Sequence, residues 1–372
     1  MTNDIHSLLD ATVKAGASDL HLSGERPPLM RLRGEVAPVP GHDEILTGEQ
    51  IQNELFKILK DDQKARLTEH LELDFSYEVR GLARFRINAF YQSKGMAMVA
   101  RVIPGVIPSA QALGLPPAVI GLGYLHNGLV LVTGPTGSGK STTMAALIND
   151  INLRESKHIL TIEDPIEFAF PVGKCLISQR EVGSTTHSFK NALRAGLRQD
   201  PDVILVGELR DLETIGLAVS AAETGHLVFG TVHTMDAAST VDRVVDAFPP
   251  HQQQQIRSQL SNSLRAVICQ QLLPRVNGGR IACREIMIVN YAIANLIRTG
   301  KAQEMSNAIL TGADVGMVLM DRDIKRLLES GEISMEVALS KVKDRNVLGG
   351  VGTPAMGTFE SAAPPKKKGF FG

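Results

Sequence analysis

Cysteine is scarce in this sequence, net charge is almost absent, and no apolar run is long. The three cysteines, Cys175, Cys269 and Cys283, include no pair at C-x-x-C spacing, which argues against a zinc ribbon. Three thiols without evident partners fit a reducing compartment. A formal net charge of −1 over 372 residues gives no general attraction to nucleic acid or anionic lipid, and leaves room only for a local patch. No apolar stretch reaches the roughly 18 residues of a spanning helix. The longest greasy region, from Val102 to Leu125, is broken by Pro104, Pro108, Pro116 and Pro117. The opening "MTNDIHSLLDATVKAG" has no basic region followed by an apolar one, so it does not read as a signal peptide. The expectation is a cytoplasmic protein that serves any membrane process from the inner face. Its 43% hydrophobic and 21% charged residues are those of an ordinary globular chain, long enough for two domains.

The first hundred residues read as a small α+β domain. "IHSLLDATVKAG" has helical spacing and stops at Gly16, and "TGEQIQNELFKILK" has Thr47 as an N-cap and an apolar stripe at Ile51, Leu55, Ile58 and Leu59. "DLHLS", "LMRLRGEV", "LDFSYEV", "ARFRINAF" and "GMAMVARVI" read as strands. The prolines and glycines of "PGVIPSAQALGLPP" then mark a linker. Beyond it, "GLVLVT", "HILTIED", "DVILVGE" and "HLVFGTVH" are apolar runs of strand length alternating with helical stretches, the pattern of a parallel sheet buried on both faces. After Pro249 the chain reads as mostly helical, with one strand at "RIACREIMIV". The expected division is 1–103, a linker at 104–117, a P-loop α/β core at 118–290, a helical part at 291–345 and a disordered tail at 346–372.

"GPTGSGKS" matches G-x-x-x-x-G-K-[ST] and sits between a strand and a helix. In such a loop the backbone amides of Gly134, Pro135, Thr136, Gly137, Ser138 and Gly139, with the start of the helix at Lys140, Ser141 and Thr142, surround the phosphates of ATP (Pro135 contributing no N–H). Lys140 is expected to reach the β- and γ-phosphates, and Ser141 to bind Mg²⁺. The next strand ends in "TIEDPIEF", placing Glu163 and Asp164 at the edge that faces the ligand. "DVILVGE" has the form of a Walker B strand with Gly207 at the usual Asp position and Glu208 after it. Glu208 is the candidate for Mg²⁺, directly or through water, and Glu163 the better candidate for general base; the sequence leaves that split open. His226 and His233 flank the strand in "GHLVFGTVHT" and are candidates to sense the γ-phosphate, His233 ahead of His226. Arg84 and Arg86 lie two apart on one strand, hence on one face, with Arg101 on the next.

The four signatures "GPTGSGKST", "TIEDPIEF", "DPDVILVGELRD" and "GHLVFGTVHT" stand in the order of the Walker A, Asp box, Walker B and His box of the secretion ATPase superfamily, which this chain resembles. "ASDLHLS…PPLMRLRGEV" and "ARFRINAFYQ" resemble its twitching-motility branch, the retraction ATPases of type IV pili. The resemblance implies a RecA-like ATPase core behind a PAS-like N-terminal domain, assembled as a homohexamer. It implies action on the inner-membrane platform protein, a paralogous retraction ATPase as a further partner, and no specific nucleic acid. It makes Arg84, Arg86 and Arg101 candidate arginine fingers acting across a subunit boundary, and Arg210 a candidate interface residue. One signature departs. Where the branch carries "AIRNLIRE", this chain has "AIANLIRT", with Ala294 and Thr299 in place of two charges. The rival readings are an assembly or export ATPase, which commonly has a longer N-terminal region and a tetracysteine insertion, a hexameric DNA translocase, and a scaffold with a relic P-loop.

Overall fold

The computed structural model describes residues 4–32, 34–103 and 105–349. They form two sheets, the first packed on one buried apolar cluster and the second set between two. The first comprises β1 (Asp19–Ser23), β2 (Leu29–Leu32), β3 (Glu35–Pro38), β4 (Glu72–Val79), β5 (Ala83–Gln92) and β6 (Gly95–Ile103) in the order β3-β2-β1-β6-β5-β4, with all neighbours antiparallel. Alternation decides its faces. Phe85, Ile87 and Ala89 of β5 are fully buried, and they pack with Ile5, Leu8 and Leu9 of helix Ile5–Lys14 and with Ile51 and Leu55 of helix Gly48–Ile58. Thr47 and Gln50 cap the second helix reciprocally, at 3.2 and 2.7 Å. "LMRLRGEV" is a hairpin of β2 and β3, not one strand, and Gly34 in its turn takes a φ of 94° that favours glycine. Helix Asp61–His70 was not legible because its only buried residue is Leu67.

The second sheet comprises β7 (Gly128–Thr133), β8 (His158–Glu163), β9 (Leu176–Glu181), β10 (Val203–Val206), β11 (Leu227–Val232), β12 (Leu264–Pro274) and β13 (Arg280–Ile288). Its order is β13-β12-β7-β11-β10-β8-β9. Only β13, at one edge, runs antiparallel to its neighbour. Strands β7, β10 and β11 are buried along their whole length. Along β7, Leu129 and Leu131 enter one apolar cluster and Val130 and Val132 the other, so alternate side chains feed the two covering layers. This is the α/β, RecA-like core expected from the sequence.

Two strands correct the reading. The segment after Pro249 is mostly helical, as expected, but holds a second strand: helix Pro250–Ser263 runs directly into the eleven-residue strand β12. No Gly or Pro separates them, and the apolar run "LRAVICQQLLP" has no period that distinguishes a buried strand from a buried helix. Strand β9 is an edge strand with only Glu181 buried, so it carried no apolar signal. The C-terminal helices, from Tyr291–Thr299 to Met335–Lys341, share the apolar cluster of the core through Ile293, Ile297, Ile324 and Leu327. The expected tail starts too early at 346. Residues 346–348 belong to a 3₁₀ turn, Arg345–Leu348, whose Leu348 is buried against that cluster. The remainder of the expected tail, from 350 onward, lies outside the described residues. The segment between the two sheets is also packed, with Ala110 and Leu115 buried alongside Val130 and Val132.

Candidate active site

Strand β7 ends at Thr133, and the chain turns at Gly134 with a φ of 139°. A Cβ at Gly134 would lie 2.1 Å from the main-chain oxygen of Gln270 on β12, so only glycine fits. The loop closes at Gly139, φ 87°, which caps helix Lys140–Arg154 without a side-chain hydrogen bond. The first amides of this helix therefore remain available to an anion. Thr136, Gly137, Lys140 and Ser141 line the cleft. Gly134, Pro135, Ser138 and Gly139 build the loop behind them, and Thr142 is not in the lining. Lys140 is buried, and its Nζ donates to the carbonyls of Gly134 and Pro135 at 2.9 and 3.1 Å. Burial pulls its ammonium below the usual lysine range, against the attraction of Glu208 and Glu167.

The other wall comes from the carboxyl ends of β8, β10 and β11, which bring Glu163, Glu208 and His233 to the same cleft. Lys140 Nζ lies 3.5 Å from His233 Nδ1, and His233 Nε2 lies 3.2 Å from Glu208 Oε1. An ammonium has no lone pair, so Nδ1 must accept and Nε2 carries the proton it donates to Glu208. Arg210 forks onto the same carboxylate, with Nη2 to Oε2 at 2.6 Å. The two glutamates are driven apart. Burial pushes Glu163 up, and the hydrogen bonds from Thr161 Oγ1 at 2.7 Å and Gln179 Nε2 at 3.2 Å only partly offset it. Burial would also raise Glu208, but Arg210 and His233 hold it below the ordinary carboxylate range. A carboxylate raised in pKa suits proton abstraction and one held ionised suits a cation. Phe168, Phe170 and Phe189 complete the lining with an apolar wall of the kind a purine packs against.

His226 is not part of this arrangement. It precedes β11, at the end of the strand opposite to His233, about 23 Å away at roughly 3.3 Å per residue. Its Nδ1 lies 3.0 Å from the carbonyl of Ala221, at the end of helix Leu212–Glu223. Flanking a strand in sequence separates two residues by the strand's length, so only one of the pair reaches the ligand edge. The three N-terminal arginines do not line the cleft of their own chain. Arg84 is engaged across the two sheets: its Nη2 donates to Glu181 Oε2 of β9 at 2.8 Å and to Ser76 Oγ at 3.2 Å. Arg86 and Arg101 stand directly opposite each other on β5 and β6 and stay exposed, near Asp74 at 3.5 Å and Asp19 at 2.8 Å respectively. Gln179 and Gln270 were missed. Both are uncharged residues on strands that the sequence did not reveal, and neither sits in a recognisable motif.

Residues 57–346 match the model of the family described as type II/IV secretion system protein. The chain belongs to that family. It is 51% identical over 340 residues to the type IV pilus retraction ATPase PilT of Pseudomonas aeruginosa, covering 91% of this chain and 98% of that one. It is 48% identical over 318 residues to a twitching motility protein of Neisseria gonorrhoeae, covering 85% and 84%. A crystal structure of the pilus retraction motor PilT with bound ADP superposes with a TM-score of 0.88 at 44% identity, covering 93% of this chain and 98% of that one. Like the Pseudomonas relative, the chain is an ATPase.

Lys140→Ala is expected to abolish nucleotide binding, measured with a fluorescent ATP analogue. Glu163→Gln and Glu208→Gln are expected to keep binding and lose turnover by about 100-fold or more. Normal steady-state hydrolysis in both would refute the assignment. If Glu163 is the base, it must be ionised to accept a proton, and since its pKa is raised, kcat should fall with falling pH through a value above the ordinary glutamate range of about 4.3. Thr161→Val removes a hydrogen bond to the charged form, so this acid limb should move upward by about one pH unit. An unmoved limb would show that another group titrates there.

Proposed function

We propose that this chain is a motor for type IV pilus retraction, a homohexamer that converts ATP hydrolysis into work on the inner-membrane platform protein. The observation that carries the reading is the continuity of the likeness: it runs through the N-terminal sheet and the ATPase core and covers nearly the whole of a retraction ATPase. Among the described residues no helix is long and apolar enough to cross a membrane. As a retraction motor it would work at the cytoplasmic face of the membrane, held there by its partners, with a paralogous retraction ATPase among them.

The chemistry follows from the cleft. The loop amides and Lys140 take the phosphates. Glu163 orients a water and accepts its proton as the oxygen attacks the γ-phosphorus and the bond to the β-phosphate oxygen breaks. Ser141 and Glu208 are oxygen donors on facing walls of the same cleft, and among the described residues no group of three His, Cys, Asp or Glu side chains could hold a metal alone. That donor set fits Mg²⁺, which takes few protein oxygens and completes its shell with phosphate and water. Bound there, Mg²⁺ supplies charge neutralisation at the β- and γ-phosphates. His233 links the phosphate-bound lysine to Glu208 and so reports the γ-phosphate to the Walker B end. Arg86 and Arg101 are exposed on a separate domain, which suits a role across a subunit boundary. Arg84 is committed to Glu181 in its own chain and would have to leave it to take part.

Helix Tyr291–Thr299 is the coupling surface. Ile293 and Ile297 are buried, as the shared apolar framework requires, and Arg298 and Thr299 are exposed. Of the two departures from the branch's charges, Thr299 is exposed and Ala294 half-buried beside the apolar face, and neither lines the nucleotide cleft, so the change alters what the helix meets and leaves hydrolysis intact.

Three experiments test the assembly, the coupling helix and the direction. Mixing inactive Lys140→Ala with inactive Arg86→Ala subunits, once exchange is demonstrated, should restore part of the ATPase activity, because some boundaries then pair an intact loop with an intact arginine. No recovery at any ratio would remove the trans role. In cells, Arg298→Glu should leave hydrolysis nearly unchanged and impair movement, and deletion of the gene should leave as many pili as before, or more, that do not withdraw. Bald cells with pilin still made would identify an assembly motor.

A further inference from the structure

The hairpin of β12 and β13 carries two buried polar side chains that no step of hydrolysis uses. Gln270 is 3% exposed. Its Nε2 donates to the carbonyl of Ser138 in the phosphate loop at 2.7 Å, and its Oε1 accepts from Thr143 Oγ1 in the following helix at 2.9 Å. The same oxygen accepts from Nε of Arg284 at 3.1 Å, its directly paired neighbour on β13. Arg284 is 6% exposed. Its Nη2 donates to the carbonyl of Leu113 at 2.9 Å and its Nη1 to that of Gly114 at 3.3 Å. Both carbonyls belong to the segment between β6 and helix Pro117–Gly121, the single covalent connection between the two sheets.

The hydrogen bonds of this guanidinium go to three neutral oxygens. Asp323 accepts from the backbone N–H of Arg284 at 2.8 Å and turns its other oxygen to Arg326 at 2.7 Å. A buried cation among neutral acceptors is costly, and an apolar side chain would fill the space without that cost. What an apolar side chain could not do is hold three oxygens, from two separate chain segments, in one rigid plane.

We propose that Gln270 and Arg284 are positioning residues that transmit the state of the phosphate loop to the interdomain linker. When the loop closes on phosphate or opens, the carbonyl of Ser138 moves the Gln270 amide. The amide oxygen moves the guanidinium, and the guanidinium moves Leu113 and Gly114. The proposal rests on the ATPase reading and is independent of what the motor pulls.

The test uses full-length protein with one spin label at Glu69→Cys in the N-terminal domain and one at Gln199→Cys in the core. The background is Cys175→Ser, and labelled chains are diluted into excess unlabelled ones. In the otherwise unaltered protein the label distance should differ between ADP and a non-hydrolysable ATP analogue. In Arg284→Lys, which cannot reproduce the planar fork, the analogue should bind within about threefold of the parent affinity, the distance change should vanish, and kcat should fall about tenfold at similar KM. Gln270→Glu keeps the acceptors for Thr143 and Arg284 but cannot donate to Ser138, and should uncouple in the same way. It carries the test if Arg284→Lys does not fold. A distance change that persists in the variants, or is absent in the parent while the analogue binds, overturns the proposal. A lowered melting temperature with the change preserved reduces both residues to packing and overturns it too. Failure of the parent to bind the analogue would instead strike the ATPase reading.

Discussion

Lys140 carries a positive charge out of water, and much of the site is arranged around that fact. Taking an ammonium out of water costs several kcal/mol in a protein interior, even after relaxation. The loop meets this with oriented dipoles: the carbonyls of Gly134 and Pro135, each a hydrogen bond from Nζ, and the ring of His233. Bringing the Gly134 carbonyl there requires a φ that other residues resist, and a backbone pressed against Gln270. A phosphate that displaces these weak acceptors offers full negative charge instead, so binding energy is concentrated at the one atom that identifies a nucleotide.

The parallel sheet explains why residues more than a hundred positions apart share this cleft. Its central strands are apolar throughout, so polar groups are tolerated only where the chain leaves the sheet. Glu163, Glu208 and His233 each occupy the first or second position past, or the last position of, a buried strand, all at the same edge. Burial differs between those exits. Glu163 is enclosed beneath the turn at 164–168 and rises in pKa, whereas Glu208 lies beside Arg210 and is held ionised. One edge thereby presents two carboxylates with opposite tendencies without any difference in residue type.

This logic also marks where sequence reading succeeds. Strand exits from continuous apolar runs are legible, so the loop, both glutamates and His233 could be placed from residues alone. His226 was misplaced because adjacency to a strand says nothing about which end of it faces the ligand. The N-terminal sheet was legible through the alternation of Phe85, Ile87 and Ala89 with polar residues. Strand β12 was not, since a fully buried run has no period and the helix before it ends without a breaker. Gln270 was therefore invisible: an uncharged residue on an unseen strand, whose importance lies in three hydrogen bonds to distant segments. Arg84 was placed on the correct face, yet its partner, Glu181, sits on the edge strand with no apolar signal.

The Arg84–Glu181 contact has a mechanical meaning. Glu181 accepts from Arg84 at 2.8 Å and also from the backbone N–H of Ile166 at 3.1 Å. Ile166 lies in the turn that follows Glu163 and Asp164, so the N-terminal sheet is bonded to the wall that carries the proposed base. Through Leu113 and Gly114 the connecting segment is bonded to the hairpin that braces the loop carrying Lys140. The N-terminal domain is thus tied to both halves of the cleft by separate charged side chains, neither fully exposed and so neither fully screened by water. Hydrolysis changes charge at the place where those halves meet. The two ties then bear on the same event from opposite walls, and relative movement of the domains is the response open to them.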